Sequence, residues 1–281
     1  MTSSIFIQTY KEKPNWKDFV LIVPAVSVGN VGQLTADLLI STFWMDRVGY
    51  LYDDCFLPIT GNDPYAVNDT AKNCNIVTPA EVFQSTDLKL VCVQQRSPLV
   101  KGKQKQYIDR LFEWIQENAF KQVIILTSSF AHERSEKQLT GTQLRYLASP
   151  EFLAETGSYL TDSLKWVELE PRPPNPLVQR EGNHGGDKEA PQIFIPGGGV
   201  AKQLYLKCCK AKMAALLTLT FCSEGDNAVD AVQLATFLNS WYQWIDLKKS
   251  QETNPLNRGG WRLPSSWKLM FGSSFEQTLF L

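Results

Sequence analysis

Phe19-Val20-Leu21-Ile22-Val23, closed by Pro24 and followed by the turn Ser27-Val28-Gly29-Asn30, is the stretch that decides the fold. Its residues are apolar without a break, and Val20, Ile22 and Val23 are β-branched. An extended chain of this kind buries both of its faces, as in the interior of a parallel sheet. The turn hands the chain to a helical pattern from Val31 to about Met45, in which Val31, Leu34 and Leu38 share one face. A buried strand, a glycine turn and a helix in succession open an α/β unit.

The same alternation continues along the chain. Gly49-Tyr50-Leu51-Tyr52 and Cys55-Phe56-Leu57-Pro58 read as short strands on either side of Asp53-Asp54, and the polar stretch 62–73 reads as a loop. Strands are expected over Ile76–Phe83 and Leu88–Val93, then a helix from about Lys103 to Asn118 whose Ile108, Leu111, Phe112 and Ile115 form one stripe. Val123-Ile124-Ile125-Leu126 completes a β-α-β unit, for which a right-handed crossover is expected. Prolines and glycines crowd the charged stretch 168–191, which reads as an exposed, flexible insertion. Beyond Gly197-Gly198-Gly199 come a helix to about Lys210, a strand over Ala214–Cys222 and a helix from about Asn227 to Ile245. Leu234, Phe237, Leu238, Trp241 and Ile245 line that last helix, and Asn227 with Asp230 gives it a capping-type start. The expected fold class is α/β, a mostly parallel central sheet with helices on both faces, in a single domain spanning 1–281.

Composition narrows the function. The chain has 281 residues, 43% of them hydrophobic, which supports a sizeable core and excludes a disordered chain. Its 28 Lys and Arg balance 29 Asp and Glu, so the basic excess typical of nucleic-acid binders is missing, and no nucleic-acid partner is expected. The six cysteines form no C-x-x-C pair and several lie in apolar runs, where a thiol behaves as a small hydrophobe. No apolar run is long enough to span a bilayer, and Met1–Pro14 has no signal-peptide pattern. No membrane partner is expected, and the compartment reads as cytosol or nucleus. The sequon Asn68-Asp69-Thr70 then counts as chance.

The candidates for chemistry are few. Gly29-Asn30-Val31-Gly32 joins a strand to a helix and would aim N–H groups at an anion, but it has neither G-K-[ST] nor G-x-G-x-x-G spacing. A tight turn or close backbone packing is the favoured reading there and at Pro196-Gly197-Gly198-Gly199. His132 follows a strand near Ser128-Ser129, where α/β folds place ligands, yet no G-x-S-x-G elbow accompanies it; His184 falls in the insertion. Ser265-Ser266-Trp267-Lys268 has S-x-x-K spacing without its companion motifs. Asp53-Asp54 and Glu224-Gly225-Asp226 lack calcium-loop spacing and read as caps or solvated turns. No catalytic, cofactor-binding or metal set is expected.

Five segments carry a resemblance when taken together and in order. They are residues Pro24–Leu34, Gly61–Tyr65, Ile195–Gly199, Ser223–Asn227 and the stretch Pro264-Ser265-Ser266-Trp267-Lys268-Leu269-Met270-Phe271-Gly272. The set resembles the proteasome assembly chaperone 2 family over about residues 18–281. That resemblance implies a non-enzymatic chaperone paired as a heterodimer with proteasome assembly chaperone 1. The pair would gather proteasome α subunits into the α-ring and prevent wrong pairing of rings. A fold related to that of nucleoside phosphorylases is also implied, and the alternatives are a nucleoside-phosphorylase-type enzyme using a glycine turn for phosphate, or a regulator of mature proteasomes. The 168–191 insertion is longer and richer in proline than the family pattern.

The last segment, about 272–281, reads as a docking tail. Gly272-Ser273-Ser274 precedes Phe275, and the chain ends in Leu279-Phe280-Leu281. This ending is similar to the hydrophobic–tyrosine–any tails with which proteasome-binding factors enter pockets between α subunits, Phe280 standing where that pattern has tyrosine. Leu279, Phe280 and Leu281 are therefore the expected partner-binding residues, combining apolar burial with capture of the terminal carboxylate. Trp261 and Trp267 are instead expected to pack over the domain, Pro264 fixing the turn between them.

Overall fold

The structure is a computed structural model that describes residues 5–10, 14–66, 75–172, 193–253 and 259–269. In chain order its elements are β1 (Phe6–Gln8), β2 (Val20–Pro24), α1 (Val31–Thr42), β3 (Asp46–Leu51), β4 (Gly61–Asn62) and β5 (Ile76–Val77). Next come β6 (Ala80–Ser85), β7 (Leu90–Gln95), α2 (Gln104–Asn118), β8 (Gln122–Phe130), β9 (Leu144–Ala148), α3 (Pro150–Thr156) and α4 (Tyr159–Asp162). The described chain closes with α5 (Ala201–Lys210), β10 (Ala215–Cys222), α6 (Ala228–Tyr242) and α7 (Leu247–Thr253).

An eight-stranded sheet in the order β1-β3-β6-β7-β2-β8-β10-β9 organises the molecule. β7, β2, β8 and β10 are parallel neighbours, which is the centre expected from their unbroken apolar sequences. Both flanks are antiparallel, with β6, β3 and β1 on one side and β9 on the other. Period-two alternation sorts the central strands between two cores: Leu21, Val123, Ile125 and Leu217 face α2 and α5, while Ile22, Ile124, Leu126 and Leu216 face α1 and α6. β8 and β10 lie under helices on both faces, so β10 is buried throughout and β8 everywhere but at Phe130.

Several boundaries differ from expectation, each for a local reason. α1 stops at Thr42 rather than Met45, because Trp44 takes a left-handed conformation (φ 50°) that no helix continues through. α6 stops at Tyr242 for the same reason, with Gln243 at φ 50°. The expected strand Ile76–Phe83 breaks at Thr78-Pro79, a proline being unable to donate to a ladder, and its halves join different sheets. The expected strand at Cys55–Pro58 is reduced to one bridge, Phe56 to Leu99. The start of the 168–191 segment is docked instead of loose: Leu169 is buried and its N–H donates to Tyr146 O, while Glu170 pairs with buried Arg145. Residues 173–191 lie outside the described residues.

Candidate functional site

β2, β8 and β10 end side by side, and this carboxyl edge is where open α/β sheets bind ligands. Here the chain itself occupies the crevice. Val28 N–H donates to Gly197 O (3.1 Å), Thr127 Oγ1 to Gly198 O (3.0 Å) and Ser129 Oγ to Pro196 O (2.9 Å). Ser128 Oγ donates to Val28 O and Ser128 N–H to Ser27 Oγ. Gly199 has φ 59°, and a Cβ there would stand 2.2 Å from Val26 O; one on Gly197 would stand 2.3 Å from Val28 Cγ2. Glycine is required for that close backbone approach, and beside the turn a cavity of about 320 Å³ lined by Val26, Gln95, Gly199 and Gln203 stays open.

The other candidates are likewise engaged. His132 packs on the Phe130 ring (5.0 Å between centroids), while the Ser128 and Ser129 hydroxyls donate to carbonyls, so no serine–histidine pair forms. Arg110 Nη1 contacts Asp53 (2.9 Å) and Asp54 (2.8 Å), and Lys103 Nζ contacts Asp54 (2.7 Å). Hydrogen bonds from Lys103 and Arg110 hold the Asp54 carboxyl well below its usual range. The adjoining Cys55 thiol is pushed up to about 12, by burial first and then by Asp53, so this cluster offers protonated sulfur and carboxylates already paired with cations. Asp226 Oδ1 accepts from Ala228 N–H and takes over the cap of α6; Asn227, expected in that role, donates instead to Ser223 O and to Asp230. Ser265 Oγ donates to Pro64 O.

A buried polar cluster that sequence reading missed lies beneath α1. Asp37 Oδ1 accepts from Tyr65 Oη (2.5 Å), Gln94 Nε2 (2.7 Å) and Arg96 Nη2 (2.7 Å). Burial, reinforced by the Asp37 charge, pushes the Tyr65 hydroxyl well up, so it remains the donor. Burial works against the Arg96 charge, but Asp37 and Tyr65 hold the guanidinium protonated. The available signal was Asp37 itself, the one charged residue in the otherwise uncharged helix Val31–Thr42.

The β1–β3 edge offers a surface for a macromolecular partner. Ile7, Tyr50, Tyr52, Phe56 and Ile59 line an apolar groove of about 420 Å³ along the β1–β3 edge, with Tyr52 74% exposed. Contiguous exposed apolar surface of this kind marks protein interaction sites. On the α1–α6 side, Trp261 is fully buried and Trp267 packs against the same core, as expected from sequence. Leu279, Phe280 and Leu281 lie outside the described residues. No helix among the described residues is long and apolar enough to cross a membrane.

Comparison with known proteins agrees with this architecture. The zebrafish (Danio rerio) protein named proteasome assembly chaperone 2 is 41% identical over 276 residues, covering 98% of this chain and all of the relative. The human protein of that name is 37% identical over the same coverage. Among solved structures, Pyrococcus furiosus PbaB, an archaeal proteasome activator, superposes with a TM-score of 0.58 at 14% identity, covering 90% of this chain and 97% of that one. PbaA from the same organism, an archaeal homologue of proteasome-assembly chaperone, gives 0.55 at 14%, covering 89% and 93%. These two likenesses concern the fold. A model described as the PAC2 family matches residues 21–224, and with near full-length relatives this similar the chain belongs to the PAC2 family, among the relatives named proteasome assembly chaperone 2.

Proposed function

We propose that this chain is a non-enzymatic proteasome assembly chaperone, which pairs with a proteasome assembly chaperone 1 subunit and promotes assembly of the α-ring from proteasome α subunits. The observation that carries the reading is similarity along nearly the whole chain to relatives of that name. The Gly197–Gly199 turn supports it, since these glycines serve close packing against Val28 and Val26 at the edge where α/β enzymes place their ligand. A heterodimer needs an apolar surface, and the β1–β3 groove supplies one. In this reading Leu279, Phe280 and Leu281 insert into pockets between α subunits. Burial of Phe280 contributes about 1.5–3 kcal/mol before the cost of ordering the tail is subtracted.

Gentle purification of the tagged chain, followed by native mass measurement, tests the role. The expected result is a sister chaperone at equal stoichiometry together with α subunits and without mature β subunits. A lone chain, or one bound to finished particles only, would overturn it. Deleting residues 279–281 is expected to weaken α-ring binding about tenfold at unchanged melting temperature. Equal affinity after deletion removes the tail from the mechanism.

A further inference from the structure

The described chain ends in a strap, Trp261 to Trp267, that is fastened at three levels. Trp261 sits in the core with its indole N–H donating to Thr236 Oγ1 on α6 (2.9 Å), its ring edge-on to Phe43. Arg262 secures the end of α1: its N–H donates to Thr42 Oγ1 (3.0 Å), Nη1 donates to Ser41 O (3.2 Å), and the guanidinium stands 3.4 Å from the Trp44 ring centroid. Finally the Pro64 carbonyl accepts from both Ser265 Oγ (2.8 Å) and Ser266 N–H (3.2 Å). Pro64 is itself immobilised, because the neighbouring Tyr65 is locked to Asp37, one turn back along α1. The strap therefore runs from the C-terminal end of α1 toward its middle, and its last anchor rests on the buried Asp37–Tyr65–Arg96 cluster.

Such anchoring exceeds what packing one tryptophan requires, since Arg262 and Ser265 are only half-buried and Ser266 is exposed, yet all three bond to the body of the fold. What it does fix is the point from which the rest of the chain departs. When a ligand is tethered, its affinity depends on effective concentration, which is set by where the tether begins and how long it is. Residues 270–281 follow the strap, and twelve residues reach at most about 40 Å even fully extended. Resting on the proposal that residues 279–281 dock in the α-ring, we infer that the strap is the positioning element of that tail. It turns the face formed by the C-terminal half of α1 and the 63–65 loop toward the ring, with Arg262 and Ser265 as positioning residues.

The test measures affinity of the full chain, with its sister subunit, for isolated α-rings. One variant carries an insertion of about twelve Gly and Ser residues after Gly272, which leaves every described contact of the strap intact; doubling the tether should weaken binding about threefold. A second carries Arg262→Ala with Ser265→Ala and should weaken binding by a similar factor. A free peptide of residues 273–281 should give the same inhibition constant against every chain, since its pocket is unchanged. If deletion of 279–281 weakens binding while both variants bind like the parent, the strap is packing alone and the inference falls. If that deletion changes nothing, the docking proposal fails first and the strap has no tail to position. The insertion variant keeps the test decisive even where the double substitution lowers the melting temperature.

Discussion

The carboxyl-edge crevice and the strap side of α1 use opposite means to hold the same helix. At its start, α1 emerges from a region where backbone meets backbone: the Gly197–Gly199 turn lies against Val26 and Val28, and serine hydroxyls donate to nearby carbonyls. Further along, α1 is held by charge, with Asp37 gathering a tyrosine, a glutamine and an arginine that arrive from separate segments. Close backbone approach needs only glycine. A buried ion pair is costly to desolvate and is often no more stabilising than an apolar replacement, so its presence suits a task of specifying geometry. On this comparison the glycine turn serves backbone packing, and the strap side fixes where one segment sits on another.

The largest expected effect comes from breaking the second region. Asp37→Ala would remove the buried carboxylate to which Tyr65, Gln94 and half-buried Arg96 all donate, and removing one partner of a buried pair costs about 3–5 kcal/mol. Urea denaturation should show that loss. A change below about 1 kcal/mol would mean that the loop carrying Tyr65 holds its place without Asp37, and the contrast between the two regions would disappear.

A somewhat smaller loss is expected from the crevice. Gly199→Ala introduces a Cβ 2.2 Å from Val26 O at a left-handed φ of 59°, and the overlap can be relieved only by moving backbone. Strain and overpacking together are expected to cost about 3 kcal/mol. Parent-like thermal stability would show slack in the crevice and would reopen the reading in which this turn receives phosphate.

How far the sequence reveals these regions follows from where each constraint resides. Leu21 and Ile22 announce a strand buried on both faces because their neighbours are apolar too, and the helix stripe from Ile108 to Ile115 is likewise local. The two edge strands were not legible: Phe6–Gln8 and Leu144–Ala148 are short and mixed, and only pairing with β3 and β10 makes them strands. Pro171 and its neighbours suggested a loose insertion, yet Leu169 and Glu170 are fixed by β9, a contact with no trace in local composition. In the candidate site, the glycine turns and Trp261 were readable as packing. The Asp37 cluster was not, because its members stand at positions 37, 65, 94 and 96 and only the fold brings them together.

The smallest effect sharpens the comparison most, because it asks whether buried charge on the α1 side is held at a loss. Glu81 is buried on β6, accepts from Arg47 Nη1 (3.0 Å) and from Thr78 N–H (3.3 Å), and feels Arg96 across the cluster. Burial raises its carboxyl above the ordinary 4.5, and Arg47 only partly pulls it back. Between 4.5 and the raised value the native protein binds this proton more tightly than the unfolded chain does. Native stability therefore falls as pH rises through that window and levels off above it. Glu81→Gln keeps an acceptor for Arg47 and Thr78 but does not titrate. Whatever its constant offset, the variant should gain on the parent as pH is raised from about 4 to 8, as read from denaturation midpoints at each pH. If the parent gains instead, the attraction of Arg47 outweighs burial and Glu81 belongs with the stabilising ion pairs. A gain by the variant would place Glu81 with Asp37, among charges whose contribution is the placement of chain segments and not the stability of the fold.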